Sequence, residues 1–298
     1  MVEYRFRLAL PADFRADDFL RFHRRDTQAV AERVGERRLE KALRWRGTPL
    51  CLCLEMAGGW AEARVVAEEA LGAGILAPLE SRVAAMLGLT QPVDEFARRH
   101  AVHPELGRLI ARLPGLRVPL TATPFEALSW AVTGQQINVA AAVSLRRKLI
   151  QAAGRPVPGG LLCPPDAPEV LALGEAGLRA AGFSQAKAAC LLRLSEAVCD
   201  GTLPLDDWLA DPPAELIRER LLAIRGIGPW TVNYTLLRGF GWLDGSLHGD
   251  VAVRRALQGL LGRPERIAAA EAEAWLADFA PWRALVAAHL WASLALAA

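Results

Sequence analysis

The chain has 298 residues, 52% of them hydrophobic and 23% charged, with a formal net charge of +2. That is enough apolar material for one large core or two domains, and too small a charge excess to mark a partner by composition alone. No apolar run is both long and uncharged enough to span a bilayer, and Met1-Val2-Glu3-Tyr4-Arg5 leads into no signal-peptide core, so a cytoplasmic protein is expected.

The five cysteines, Cys51, Cys53, Cys163, Cys190 and Cys199, are odd in number and scattered. None of their spacings matches a zinc or iron–sulfur ligand set, so reduced, structural thiols are expected. Only Lys41, Lys148 and Lys187 among the 35 cationic side chains are lysines. Arginine suits bidentate phosphate binding, although a GC-rich genome produces the same bias.

Tyr4 to Leu10 alternates as a strand does, and Asp17 to Val34 carries helical spacing. Arg44-Trp45-Arg46, Leu50 to Met56 and Ala63 to Ala67 predict further strands, with Gly58-Gly59 as a hairpin turn. Residues 1–92 are therefore expected to form an α+β domain with an antiparallel sheet, left through Leu89-Thr90-Gln91-Pro92. From residue 93 onward the signals are almost all helical. Thr123-Pro124-Phe125-Glu126 predicts a capping box, Gly134 interrupts the apolar pattern that follows, and Ile137 to Ala153 resumes it. Asp211-Pro212-Pro213 opens a helix, and Pro281-Trp282 opens the last one.

The helix after Asp211 carries Leu216, Ile217, Leu221 and Ile224 on one face and runs into Gly226-Ile227-Gly228-Pro229-Trp230-Thr231. The glycines allow backbone angles closed to other residues, and proline suits the first turn of a second helix. Such a turn presents backbone N–H groups at a positive helix end, where an anion can sit. An ordinary turn between packed helices has the same local pattern. Asp250, about twenty residues on in Leu247-His248-Gly249-Asp250-Val251, is placed to cap a helix. A carboxylate there can also stabilise an oxocarbenium-like charge or orient an attacking water.

Gly226 to Tyr234 followed by Gly249-Asp250 resembles the hairpin and catalytic-aspartate signature of the helix-hairpin-helix DNA glycosylase superfamily. Within it the chain most resembles the alkylation-repair branch, 3-methyladenine DNA glycosylase II. Phe125 to Asn138, ending Thr133-Gly134-Gln135-Gln136-Ile137-Asn138, is similar to the segment whose G-Q-x turn wedges into the duplex. Gly182-Phe183-Ser184-Gln185-Ala186-Lys187-Ala188 and Pro281-Trp282-Arg283 match two further segments, and an N-terminal mixed-sheet domain also fits that branch. The resemblance implies a mostly α protein with an N-terminal α+β domain. Two helical subdomains, about 115–240 and about 93–114 with 241–298, would flank a base-binding cleft.

By that resemblance Asp250 is the catalytic carboxylate, and the Gly226, Ile227 and Gly228 main chain, with Thr231, holds DNA. Gln136 falls at the wedge position, and Trp230, Tyr234 and Trp282 line the pocket for the extruded base. Trp230 and Tyr234 are four apart and share a helix face, and electron-rich rings suit a cationic alkylated purine. The other seven tryptophans are expected in the core or as surface anchors.

Relatives that also cut the strand use an amine just after the hairpin, where this chain has Pro229 and Trp230, and no cysteine follows Cys199 to build an iron–sulfur loop. The resemblance thus implies a monofunctional enzyme acting on damaged double-stranded DNA. It would be a monomer associated with the nucleoid, using no cofactor except a monovalent cation that hairpin carbonyls could hold. A non-catalytic DNA-binding module, a purely structural helical domain and a glycosylase for deaminated or oxidised bases remain as alternatives. His248 and Gly249 before the aspartate, Asn138, and a polar Gln136 depart from common patterns of the family, which affects lesion range.

Overall fold

A computed structural model describes residues 1–296. The N-terminal region comprises β1 (Val2–Ala9), α1 (Ala16–His23), β2 (Glu32–Val34), β3 (Arg38–Trp45), β4 (Thr48–Ala57), β5 (Trp60–Ala67) and α2 (Leu76–Met86). The strands form one antiparallel sheet in the order β1-β5-β4-β3-β2, with Ala57 opposite Trp60 around the Gly58-Gly59 turn. Alternation assigns the faces. Leu39, Leu43, Leu50, Leu52 and Leu54 join Phe19, Leu20 and Leu79 in one core, while Ala42 and Cys51 face the other way.

The helical spacing from Asp17 to Val34 is realised only as far as His23. Asp26 then accepts the Gln28 N–H at 3.1 Å and pairs with Arg147 at 2.7 Å, turning the chain out of helix. Glu32 to Val34 pairs instead with Leu39 to Lys41 as the sheet's edge strand.

The second region comprises α3 (Val93–His100), α4 (Leu106–Arg112), α5 (Pro124–Gly134), α6 (Val139–Ala153), β6 (Arg155–Pro156), β7 (Leu162–Cys163), α7 (Ala167–Ala180), α8 (Gln185–Cys199), α9 (Ala214–Leu222), α10 (Pro229–Thr235), α11 (Val251–Leu260), α12 (Ala269–Ala277) and α13 (Arg283–Leu296). It is not wholly helical. The β6–β7 hairpin lays Val157, Leu161 and Cys163 on the outer sheet face at Ala42 and Cys51. One helical core gathers Phe125, Leu128, Leu191, Leu194, Ile217 and Leu236. The other gathers Phe96, Leu109, Leu243, Val253, Leu257 and Leu285.

The predicted capping box at α5 is half made. Thr123 Oγ1 accepts the Glu126 N–H at 3.1 Å, but the Glu126 carboxylate does not return the bond to Thr123. One of its oxygens accepts the Ala122 N–H at 3.0 Å, and the other takes Lys41 Nζ at 2.8 Å and Arg146 at 3.0 Å. Lys41 points to the same sheet face as Leu39 and Leu43 and is fully buried. It also meets Glu32 at 2.7 Å, which in turn contacts Arg146 at 3.3 Å and His23 at 3.2 Å. Burial by itself would raise the Glu32 carboxyl. The Lys41 and Arg146 cations override it and hold the group well below the usual carboxylate range. This cluster joins sheet to helices. Arg82 of α2 adds to the joint by donating to the Ala122 and Thr121 carbonyls at 2.8 and 2.7 Å.

Candidate active site

The hairpin forms as its glycines require. Gly226 has φ +103, and a Cβ built there would lie 3.1 Å from Cys190 Sγ, so only glycine suits the position. Gly228 caps α10 in extended backbone and Pro229 takes the first turn. The Gly226 and Gly228 N–H groups find no acceptor among the described residues, whereas the Ile227 N–H is already given to the Ile224 carbonyl at 3.0 Å. Ile227 therefore shapes the turn, and the two glycines leave amides free for an anion to meet.

Thr231 lies beneath this turn, 2% exposed. Its hydroxyl accepts from Gln135 Nε2 at 3.1 Å, and the same nitrogen donates to the Gly226 carbonyl at 2.9 Å. Burial removes the Thr231 side chain from any bound DNA, contrary to the expectation for it, and gives it a bracing role. Gln135 carries no local sequence signal for this contact, which spans more than ninety residues of chain.

Next to Gln135, Gln136 is exposed and has φ 57, a strained angle for a residue with a Cβ. Ile137 and Val139 beside it are 40% and 63% exposed, and Asn138 caps α6 by accepting the Ala141 N–H at 2.9 Å. The wedge candidate thus stands on a protruding, partly apolar turn. Lys187 Nζ pins the base of that turn by donating to the Thr133 carbonyl at 2.7 Å.

Asp250 caps α11 and faces the hairpin helix. Its Oδ1 accepts the Ala252 and Val253 N–H groups at 2.7 and 3.1 Å, and its Oδ2 accepts Trp230 Nε1–H at 2.8 Å. The carboxylate is fixed in orientation, partly open to solvent, and keeps acceptor capacity on Oδ2. Trp230 stacks on Tyr234 with ring centres 5.2 Å apart, and Tyr234 lies 6.4 Å from Trp291.

Trp282 stands in the core cluster that also holds Tyr234 and against which Trp230 packs. It is 5% exposed and packs edge-on against Phe96 and His100, with Arg99 over its ring. All three of these neighbours belong to α3. His248 bonds Ser246 at 3.0 Å, with Glu273 at 3.7 Å.

An open cleft lies between sheet domain and helices. Phe22, Arg25, Thr121, Trp130, Val143 and Arg146 line it; Asp250, Trp230, Tyr234 and Trp282 do not. Trp130, Trp291 and Phe22 were not singled out by sequence reasoning, since nothing local distinguishes them from core aromatics. Arg238, one turn beyond Tyr234, connects the two places: its guanidinium stands 5.7 Å from the Trp291 ring centre and 4.6 Å from that of Phe22. Burial pulls that guanidinium down to about 10.

No family model matches the chain. DNA-3-methyladenine glycosylase 2 of Escherichia coli is 31% identical over 229 residues, covering 76% of this chain and 78% of that protein. The solved 3-methyladenine DNA glycosylase of Archaeoglobus fulgidus superposes with a TM-score of 0.81 at 21% identity, over 96% of this chain and 97% of that one. The Schizosaccharomyces pombe 3-methyladenine DNA glycosylase, solved in complex with abasic DNA, gives 0.58 at 26% identity, over 65% of this chain and 94% of its own. Sequence and fold together show that the chain belongs to the DNA-3-methyladenine glycosylase 2 family of helix-hairpin-helix DNA glycosylases.

Proposed function

We propose that this protein is a monofunctional DNA glycosylase that flips an alkylated purine out of duplex DNA and hydrolyses its N-glycosidic bond. The observation that carries this reading is the Asp250 carboxylate, held by Trp230 Nε1–H and the start of α11 beside the glycine hairpin. As the bond between C1′ and the base nitrogen breaks, its electron pair leaves with the base and positive charge develops on the sugar. Asp250 stabilises that charge; a water then bonds to C1′ and gives up its proton, leaving an abasic site. An N-alkylated purine is already cationic and leaves readily, so one carboxylate suffices without a strong general acid.

The Gly226 and Gly228 amides hold a backbone phosphate, Gln136 fills the gap left in the duplex, and the Trp230–Tyr234 stack offers the base an electron-rich face. Lys187 is engaged by the Thr133 carbonyl and Lys41 is buried in ion pairs, so neither is a free amine for strand cleavage. A monovalent cation at the hairpin would have to share the Ile224 and Gly226 carbonyls with donors they already accept, and no step is routed through one. Work on chromosomal DNA would place the protein at the nucleoid. Among the described residues no helix is long and apolar enough to cross a membrane.

The test is base release from an alkylated duplex by the wild type and Asp250→Asn, with an abasic-site readout. Wild-type release that is lost in the variant, with duplex binding retained and strand cuts appearing only after alkali, is the expected outcome. Binding by both proteins without release from alkylated, deaminated or oxidised duplexes would leave a DNA-binding module instead.

A further inference from the structure

Arg25, just past α1, is exposed and makes no hydrogen bond or ion pair among the described residues. Its guanidinium carbon stands 4.6 Å from the Phe22 ring centre and 5.6 Å from that of Trp130, in the cleft between the sheet domain and α5. A planar cation lying against two rings occupies space that a planar heterocycle could take. The other charged groups of the cleft are committed: Glu32, Glu126 and Arg146 to one another and to Lys41, and Asp26 to Arg147. Arg25 is left as the free donor.

This place is continuous with the aromatic wall that begins at Asp250. Asp250 holds Trp230, Trp230 stacks on Tyr234, Tyr234 approaches Trp291, and Arg238 lies against both Trp291 and Phe22. Trp130 belongs to α5, the helix that ends at the Gln136 turn.

We propose that Arg25 is a specificity-determining residue that donates to a carbonyl on the edge of the extruded base and disfavours bases that carry a positive charge. The inference rests on the glycosylase reading above. A guanidinium N–H to a ring carbonyl is a charge-assisted bond, available to a neutral purine such as hypoxanthine. A cationic purine such as 7-methylguanine offers the same carbonyl but meets a like charge, and finds the Phe22 face already taken by Arg25 and Arg238 and the Trp130 face by Arg25.

The test compares kcat/KM for duplexes carrying a single hypoxanthine or a single 7-methylguanine, using the wild type, Arg25→Ala and Arg25→Lys. Arg25→Ala should lower the hypoxanthine rate about tenfold, the order expected for one hydrogen bond from a charged donor, while the 7-methylguanine rate holds or rises. Arg25→Lys keeps the charge without the planar fork, so it should restore discrimination against 7-methylguanine but not the full hypoxanthine rate. Equal changes in both rates overturn the inference, and so does a weakened salt dependence of binding with an unchanged ratio, which would make Arg25 a phosphate contact. Release of both bases with the ratio unmoved in Arg25→Ala overturns this inference alone. A wild type that releases neither base overturns it together with the glycosylase reading.

Discussion

The Asp250 carboxylate accepts three N–H groups, two from the start of α11 and one from the Trp230 indole, so one side chain shapes both a helix end and an aromatic wall. Asparagine at this position can keep the cap through its carbonyl, but its amide then turns N–H groups toward the indole N–H. Loss of base release in Asp250→Asn would thus reflect the missing charge and a loosened Trp230 together, with the fold intact. Gly226 is constrained from another direction, by φ +103 and by Cys190 at 3.1 Å. Gly226→Ala should cost about 1–3 kcal/mol of stability and weaken duplex binding, as checked by urea unfolding and a DNA titration. Substitution of Cys190 by alanine in the same chain should recover part of the stability, since the blocking sulfur is gone, but not the part due to the backbone angle.

The buried cluster of Lys41, Glu32, Glu126 and Arg146 links β3, β2, α5 and α6. Lys41→Met leaves two carboxylates buried with one cation fewer, and should destabilise the protein by about 3–5 kcal/mol, read as a lower urea midpoint. None of this cluster is legible in the sequence. Lys41 stands among charged residues of an alternating strand, and only the arrival of α5 from more than eighty residues away makes it interior. The hairpin, the Asp250 cap and most strands were legible because each is fixed by neighbours in sequence: glycine angles, cap chemistry, alternation. The run from Asp17 to Val34 misled for the converse reason. Helical spacing there is real, but Arg147, far along the chain, and Lys41, on the neighbouring strand, hold Asp26 and Glu32 in a turn and a strand. Burial of Trp282 under Phe96, and the cleft made by Phe22 and Trp130, likewise depend on which helix covers which ring.

Taken as one body, the protein should weaken in acid. Burial pulls the His289 imidazole, which donates to the Leu285 carbonyl at 2.9 Å, down to about 4, and burial likewise lowers His23. Both are neutral when folded and take up a proton near pH 6.5 when unfolded, so the unfolded state binds more protons and stability falls as pH drops below that value. For His289 the loss runs on to about pH 4 and amounts to something on the order of 3 kcal/mol. Glu32, depressed by its cations, adds a further loss below its ordinary value of 4.5. Melting temperature measured from pH 8 to 4 should decline accordingly, and His289→Gln should flatten the upper part of that decline. The placement of the cluster also bears on how divisible the molecule is. α5 leaves it at Glu126 and ends at Gly134, and α6 returns from Asn138 to bring Arg146 back to Glu126 at 3.0 Å. The protruding Gln136 turn is thereby the tip of a helical arm whose root is bolted to the sheet. The first ninety residues are thus no detachable module: cutting or transplanting them would unfasten the arm that carries the Gln136 turn.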